Sequence, residues 1–262
     1  MSTVQDFCDF LQRLAPPELA EDWDNVGLLV GDAGASVARL MTCLTVTGPS
    51  AAEACREKAD LVVTHHPLPF RPLKRLTTDT PEGRHLLQLI QAGVAVYSGH
   101  TAFDSAGNGI NQQLAAGLGL SQVEPLVVRD PDAATGSGRI GSCTPPVTLA
   151  AFGERVKQFL GIGQLRVVGS ADRSVHRVAV ACGSAGQFLP AARLAMADLL
   201  VTGETSFHTC LEAEAEGIGL LLTGHYASER FAMEQLADKL AGEFPDVNVW
   251  ASRDEQDPLR ML

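Results

Sequence analysis

Apolar runs that break off into polar tips recur along the chain: VVTHH (62–66), VYSGHTAFD (96–104), LLVTGE (199–204) and LLLTGHYASE (220–229). Each run has the length of a buried strand, and stretches with helical spacing of apolar residues lie between them. Strands alternating with helices at this spacing predict βα units, hence an α/β fold of two halves with largely parallel sheets. In such sheets ligands bind beyond the carboxyl ends of the strands. Of the seven histidines, His65, His66, His100 and His225 lie on these tips and His208 follows one closely. Only His85 and His176 fall elsewhere. A single histidine at a strand end is commonly a satisfied core or surface residue, but the same arrangement four times over argues against chance.

Around the tips the pattern is regular. Helices are predicted at 3–14, 50–59 with Ser50 as N-cap, 83–93 ending at a glycine, and again in GINQQLAAGLGL, VTLAAFGERVKQFLG, LPAARLAMA, FHTCLEAEAEG and SERFAMEQLADKLAGEF. Strands are predicted in GLLVG, RLMTCLTVT, LRVVG, RVAVACG and VNVWAS. Residues 129–146, RDPDAATGSGRIGSCTPP, are rich in Gly, Pro, Ser and Asp and mark the expected domain joint. The expected halves are therefore 1–128 and 129–262, with the C-terminal helix and strand able to pack back on the first half.

The apolar fraction of 45% supports a sizeable core. The formal net charge of −11 does not favour nucleic acid as a partner, because a phosphate backbone calls for Lys and Arg. The start, MSTVQDFCDFLQRL, reads as a short amphipathic stretch rather than a secretory signal, and no apolar run has membrane-span length. The six cysteines are scattered without a C-x-x-C pair, as expected for reduced, packed thiols. A cytoplasmic location without membrane association is the expectation.

Neutral imidazole and carboxylate suit Zn, Fe, Mn, Co and Ni. His65, His66, Asp104, His225 and Glu229 form a plausible donor set. His225 and Glu229, four apart, share a face if a helix begins near His225; the plainer reading of Glu229 is a carboxylate well placed near a helix N-terminus. Five N/O donors exceed the usual three of a catalytic zinc. With bridging carboxylates they suit two divalent ions, roughly 3.5–4 Å apart in such sites, in the cleft between the halves. Hydrolysis is the chemistry such a pair serves.

The combined motifs give a specific resemblance. EDWDNVGLLVG (21–31), DLVVTHHPLPFRPLKRL (60–76), VAVYSGHTAFDSAGNGIN (94–111), GSGRIG (136–141), RVAVACGSAG (177–186), DLLVTGETSFH (198–208) and LLLTGHYASER (220–230) cover nearly the whole chain. It resembles the Ngg-one-interacting-factor-three-like dinuclear metal centre proteins, also labelled GTP cyclohydrolase I type 2 homologues. The resemblance implies that His65, His66, Asp104, His225 and Glu229 bind two metals, with Glu229 a bridge, in a ring-shaped homohexamer. In HTAFD, Ala102 and Phe103 replace the commoner Asn-Leu, but the aspartate is kept.

Other motifs leave alternatives. GSGRIG fits G-x-G-x-x-G, but no helix follows it, so a turn is expected rather than a dinucleotide site. Glu204 and His208 are either partners that orient ligands, a general acid/base pair, or a helix cap and a surface histidine. His100 is either an orienting partner or a proton shuttle. Arg71, Lys74 and Arg75 either meet a phosphate or lie in a solvated loop. Trp23, Asp24 and Asn25 either shape the rim of the pocket or pack and cap a turn.

Two functions follow. One is a metal-dependent hydrolase in which activated water attacks a nucleotide or another phosphorylated or heterocyclic small molecule, with Glu204, His100 or His208 moving protons; GTP cyclohydrolase type 2-like activity comes from the resemblance alone. The other is a non-enzymatic metal-binding scaffold, metal-handling or regulatory protein. An open metal position beside a nucleotide-sized cleft separates the first from the second.

Overall fold

The computed structural model describes residues 2–130 and 135–260. It divides into two compact units, Met1–Phe103 with Ala232–Leu262, and Asp104–Phe231.

The first unit begins with α1 (Val4–Leu14), where Thr3 and Asp6 form a capping box and Val4, Phe7, Cys8 and Leu11 make the buried face. Then come β1 (Gly27–Val30), β2 (Arg39–Cys43), α2 (Gly48–Arg56), β3 (Leu61–Thr64), α3 (Pro81–Gln91) and β4 (Ala95–Ser98). Helix α4 (His100–Ser105) follows at once. The sheet runs β1, β4, β3, β2 and then the C-terminal strand Asn248–Ala251. All neighbours are parallel except β1 with β4. β3 and β4 are buried along their whole length, as central parallel strands covered on both faces must be. Because β2, β3 and β4 are adjacent and parallel, their carboxyl ends form one edge, from which Thr45, His65, His66 and His100 emerge.

Two expected details differ. The N-cap of α2 is Thr47, not Ser50; Ser50 sits three residues on, and its hydroxyl accepts from the Thr47 N–H at 2.7 Å. HTAFD is helical rather than a strand tip.

Glu53 of α2 is fully buried and ties the C-terminal segment into this unit. Its carboxylate accepts hydrogen bonds from Trp250 Nε1 at 3.1 Å, Ser252 Oγ at 2.6 Å, and the Arg253 and Asp254 N–H groups at 3.0 Å each. Burial alone would raise the Glu53 carboxyl, but these donors hold it below its ordinary value. A depressed carboxyl stabilises the fold above the unfolded-state value, and that contribution fades as pH falls through the folded value. Glu53→Gln is therefore expected to cost about 1.5–3 kcal/mol near neutrality and progressively less in acid, read from urea melts at several pH values.

The second unit contains α5 (Ile110–Gly117), β5 (Ser121–Asp130), β6 (Thr135–Thr148), α6 (Leu149–Leu160), β7 (Arg166–Val168), β8 (Ser174–Ser184), α7 (Leu189–Leu194), β9 (Leu199–Glu204), α8 (Phe207–Ala215), β10 (Gly219–Leu222) and the start of α9 (His225–Glu243). The sheet order is β5, β6, β8, β9, β10, β7. β8, β9 and β10 are parallel; the outer pairings are antiparallel. The pleat of β8 sends Val178 and Val180 into a core with Phe152, Val201 and Leu221, and Ala179 and Ala181 into a second core with Leu200 and Leu220.

The stretch expected as a domain joint is different in the structure. Residues 131–134 lie outside the described residues, but Thr135–Thr148 is a strand paired with β5 on one side and β8 on the other. The compact units divide instead within α4 and α9, so the expected boundary at 128/129 does not separate them. The glycines explain the misreading. At Gly136 a Cβ would lie 2.1 Å from the Val127 carbonyl oxygen, so glycine there permits close strand approach. Among the described residues no helix is long and apolar enough to cross a membrane. None of the six cysteines forms a disulfide.

Candidate metal centre

In the first unit, His65 and His66 follow the end of β3 and His100 opens α4. Their rings cluster: centroids are 5.1 Å apart for His65 and His66, 5.2 Å for His65 and His100, and 5.6 Å for His66 and His100. Each offers one ring nitrogen, and these atoms lie within 4.8 Å of one another, a group able to hold a metal ion. Two of the rings are held from behind. His66 Nδ1 lies 2.7 Å from Thr45 Oγ1, so Nε2 is the ring nitrogen that could face a metal ion. His100 Nδ1 lies 2.7 Å from Asp24 Oδ1. The Asp24 carboxylate also accepts from the Asn25 N–H at 2.7 Å, the Thr101 N–H at 3.1 Å and the Thr101 hydroxyl. Burial alone would raise this carboxyl, yet the bonds from His100 and Thr101 bring it down to about 2. Asp24 therefore stays ionised and fixes the proton of His100 on Nδ1.

In the second unit, α9 begins at His225, so His225 and Glu229 share a face. His225 Nε2 is 3.2 Å from Glu229 Oε2, and Nδ1 is 2.9 Å from Glu204 Oε1. Glu229, and after it Glu204, raise the imidazole to about 9 against the opposing effect of burial. Without metal His225 is therefore charged, and Nε2 must release a proton to become a ligand. Asp104 Oδ1 accepts from the Cys182 thiol at 3.2 Å. Burial, and then the Asp104 and Glu229 charges, push that thiol well above its ordinary range, which keeps it a donor. Asn111 adds a brace: its Nδ2 donates to the Asp104 carbonyl at 3.2 Å and its Oδ1 accepts from the Cys182 N–H at 2.8 Å.

Glycines at two tips make room for α9. Gly203 has no space for a Cβ, which would lie 2.6 Å from the Gly183 carbonyl oxygen and 2.8 Å from Ser228 Oγ. Gly183 has φ +66°, and its Cβ would lie 2.3 Å from Glu229 Oε1. Gly183→Ala is thus expected to push Glu229 aside and weaken metal binding roughly ten-fold, read by competition with a chelating dye.

Of the residues singled out from the sequence, His65, His66 and His100 come together in the first unit, and Glu204, His225 and Glu229 in the second. Asp104 is joined to Cys182. His208 is exposed on α8, with its ring centroid 6.1 Å from that of Phe207. Arg71, Lys74 and Arg75 are exposed. Thr45 and Cys182 were not anticipated as partners of ligand-type residues, and the link from Asp24 to His100 was not read from the sequence.

The donors are imidazole and carboxylate, which fits a borderline divalent metal. A family model described as Duf34/NIF3 (NGG1p interacting factor 3) matches residues 2–258. The chain is 34% identical over 247 residues to a Clostridium acetobutylicum protein named GTP cyclohydrolase 1 type 2 homolog, covering 94% of this chain and 92% of the relative. It is also 34% identical to the Schizosaccharomyces pombe protein NIF3 homolog, over 96% of this chain and 95% of the relative. The crystal structure of Staphylococcus aureus protein SA1388 matches with a TM-score of 0.91 at 25% identity, covering 100% of this chain and 99% of that one.

Proposed function

The chain belongs to the Duf34/NIF3 family, and from that premise we propose that it is a dinuclear metal hydrolase acting on a nucleotide or a similar heterocyclic, phosphorylated small molecule. One observation carries the reading: two sets of ligand-type side chains, each braced from behind, with His65, His66 and His100 in one and His225 and Glu229 in the other. His65, His66, Asp104, His225 and Glu229 are the residues that would hold the two ions. Bound there, divalent ions would supply Lewis-acid polarisation and lower the pKa of water.

The chain's own groups do the rest. Thr45 holds His66 by Nδ1 and Glu204 holds His225 by Nδ1. The contact with Glu204 supports an orienting role for that residue over general acid/base work. His100, with Nδ1 fixed on the Asp24 carboxylate, has Nε2 as the atom that takes or gives a proton during turnover. The exposure of His208 on α8 supports a surface role.

The names of the relatives make GTP the first substrate to test. Purified metal-loaded protein incubated with GTP is expected to release formate and a pterin-type product above the level of a His65→Ala control. Turnover no greater than that control rules out GTP. Two ions bound with no turnover of any nucleotide would replace the hydrolase with the scaffold reading. The homohexamer implied by the resemblance is tested by light scattering on the purified protein.

A further inference from the structure

Two large aromatic side chains stand exposed beside the first-unit histidines. Trp23 is 61% exposed and Phe70 41% exposed, although most side chains of this size are placed to bury their rings. Their centroids are 5.9 Å apart, and each is 5.9 Å from the centroid of His100. His100 in turn touches His65 and His66.

The backbone next to both rings is pinned. Asp24, after Trp23, is bound to His100 and Thr101. Asn25 Nδ2 donates to the Pro69 carbonyl at 2.7 Å, tying the loop that carries Trp23 to the one that carries Phe70. The Phe70 N–H donates to Glu82 Oε1 at 3.3 Å. The fold thus holds two rings in fixed places without covering them. Exposed aromatic faces held this way are stacking platforms, because planar heterocycles offer a π-face regardless of their edge groups. Two stacked layers need about 3.5–4 Å each, more than the 5.9 Å between these rings allows. The pair therefore makes a ledge rather than a slot, and because the two planes are tilted by 44°, a planar group lies flat on one ring and meets the other at an angle.

We propose that Trp23 and Phe70 form a stacking ledge on which a planar heterocycle of the substrate, of purine or similar size, lies flat beside His100. This rests on the reading of the site as one that acts on a nucleotide-like molecule, and it names the part of the molecule the ledge takes. Arg71, Lys74 and Arg75 follow Phe70 in an exposed segment and offer cations to an anionic group on the same molecule.

The test is calorimetric titration of the metal-loaded protein with GMP and, separately, with ribose 5-phosphate, which lacks the base. Wild type is expected to bind GMP more tightly than ribose 5-phosphate. Trp23→Ala and Phe70→Ala should each weaken GMP binding roughly ten-fold and leave ribose 5-phosphate unchanged. Trp23→Phe should recover most of the loss, and metal content should stay at the wild-type level in all three variants. GMP bound no better than ribose 5-phosphate by wild type, or equally well by wild type and the alanine variants, overturns the ledge whether or not GTP is turned over. A fall in metal content in Trp23→Ala that Trp23→Phe does not restore also overturns it, since the ring would then be supporting the histidines. Base-dependent binding lost in the variants, with no formate released from GTP by wild type, upholds the ledge and rules out GTP as the substrate; the hydrolase falls only if no nucleotide is turned over.

Discussion

Arg139→Met is expected to destabilise the protein by about 3–5 kcal/mol, a loss large enough to threaten folding at physiological temperature. The Arg139 side chain has no exposed surface. Its Nη1 donates to the Gly136 and Gly138 carbonyls at 2.7 Å each, and its Nη2 to the Ala106 carbonyl at 2.7 Å and the Ser105 carbonyl at 3.3 Å. Nε donates to Gln112 Oε1 at 2.9 Å. Burial lowers the guanidinium to about 10, which still leaves it charged at neutrality. Methionine fills much of the volume but leaves those buried acceptors without a donor, and an unsatisfied buried group is costlier than the bond it lost was worth. Lysine keeps the charge and loses the planar fork, so Arg139→Lys should fall between the two. Urea melts of the three proteins measure the series. A loss under about 1 kcal/mol in Arg139→Met would show that the acceptors find other partners.

His65→Ala and His66→Ala are each expected to lower metal content by about one ion per chain. Side chains of neighbouring strand residues point to opposite faces, so the pair starts out divergent. Regular strand structure ends at Thr64, and the rings lie 5.1 Å apart with a tilt of 53° between their planes. The proposed two-ion centre gives each of these diverging rings an ion of its own. Elemental analysis of the two variants and wild type, purified side by side, gives the counts. Full wild-type content in both variants would overturn the assignment.

What could be read from the sequence, and what could not, follows from the range of the signal. Periodicity is local, so β3, β4, β9 and β10 and their polar tips were legible, and with them His65, His66, His100, His225 and Glu229. Parallel pairing of β3 with β4 then brings the first three together, because it aligns their carboxyl ends. Thr45, Asp24 and Cys182 act through hydrogen bonds to side chains 21, 76 and 78 residues away. No spacing rule links such positions, so their partners had to come from the structure. GSGRIG misled for a different reason. Composition rich in Gly and Ser marks a turn when the glycines serve only to reverse the chain, but here Gly136 (φ +153°) and Gly138 (φ +64°) use their freedom inside a strand, and Gly136 also permits close strand approach. That is also why Arg139, a polar residue in an apparently loop-like stretch, gave no sign of being buried.

Element-specific anomalous diffraction from crystals of the metal-loaded protein tests the central claim most directly, because it counts ions, identifies the element and shows the ligands together. The account predicts two ions per chain, with His65, His66, Asp104, His225 and Glu229 as the protein ligands and a position open to water or substrate. A single ion held by His65, His66 and His100 alone, or ions bound away from these side chains, would contradict it.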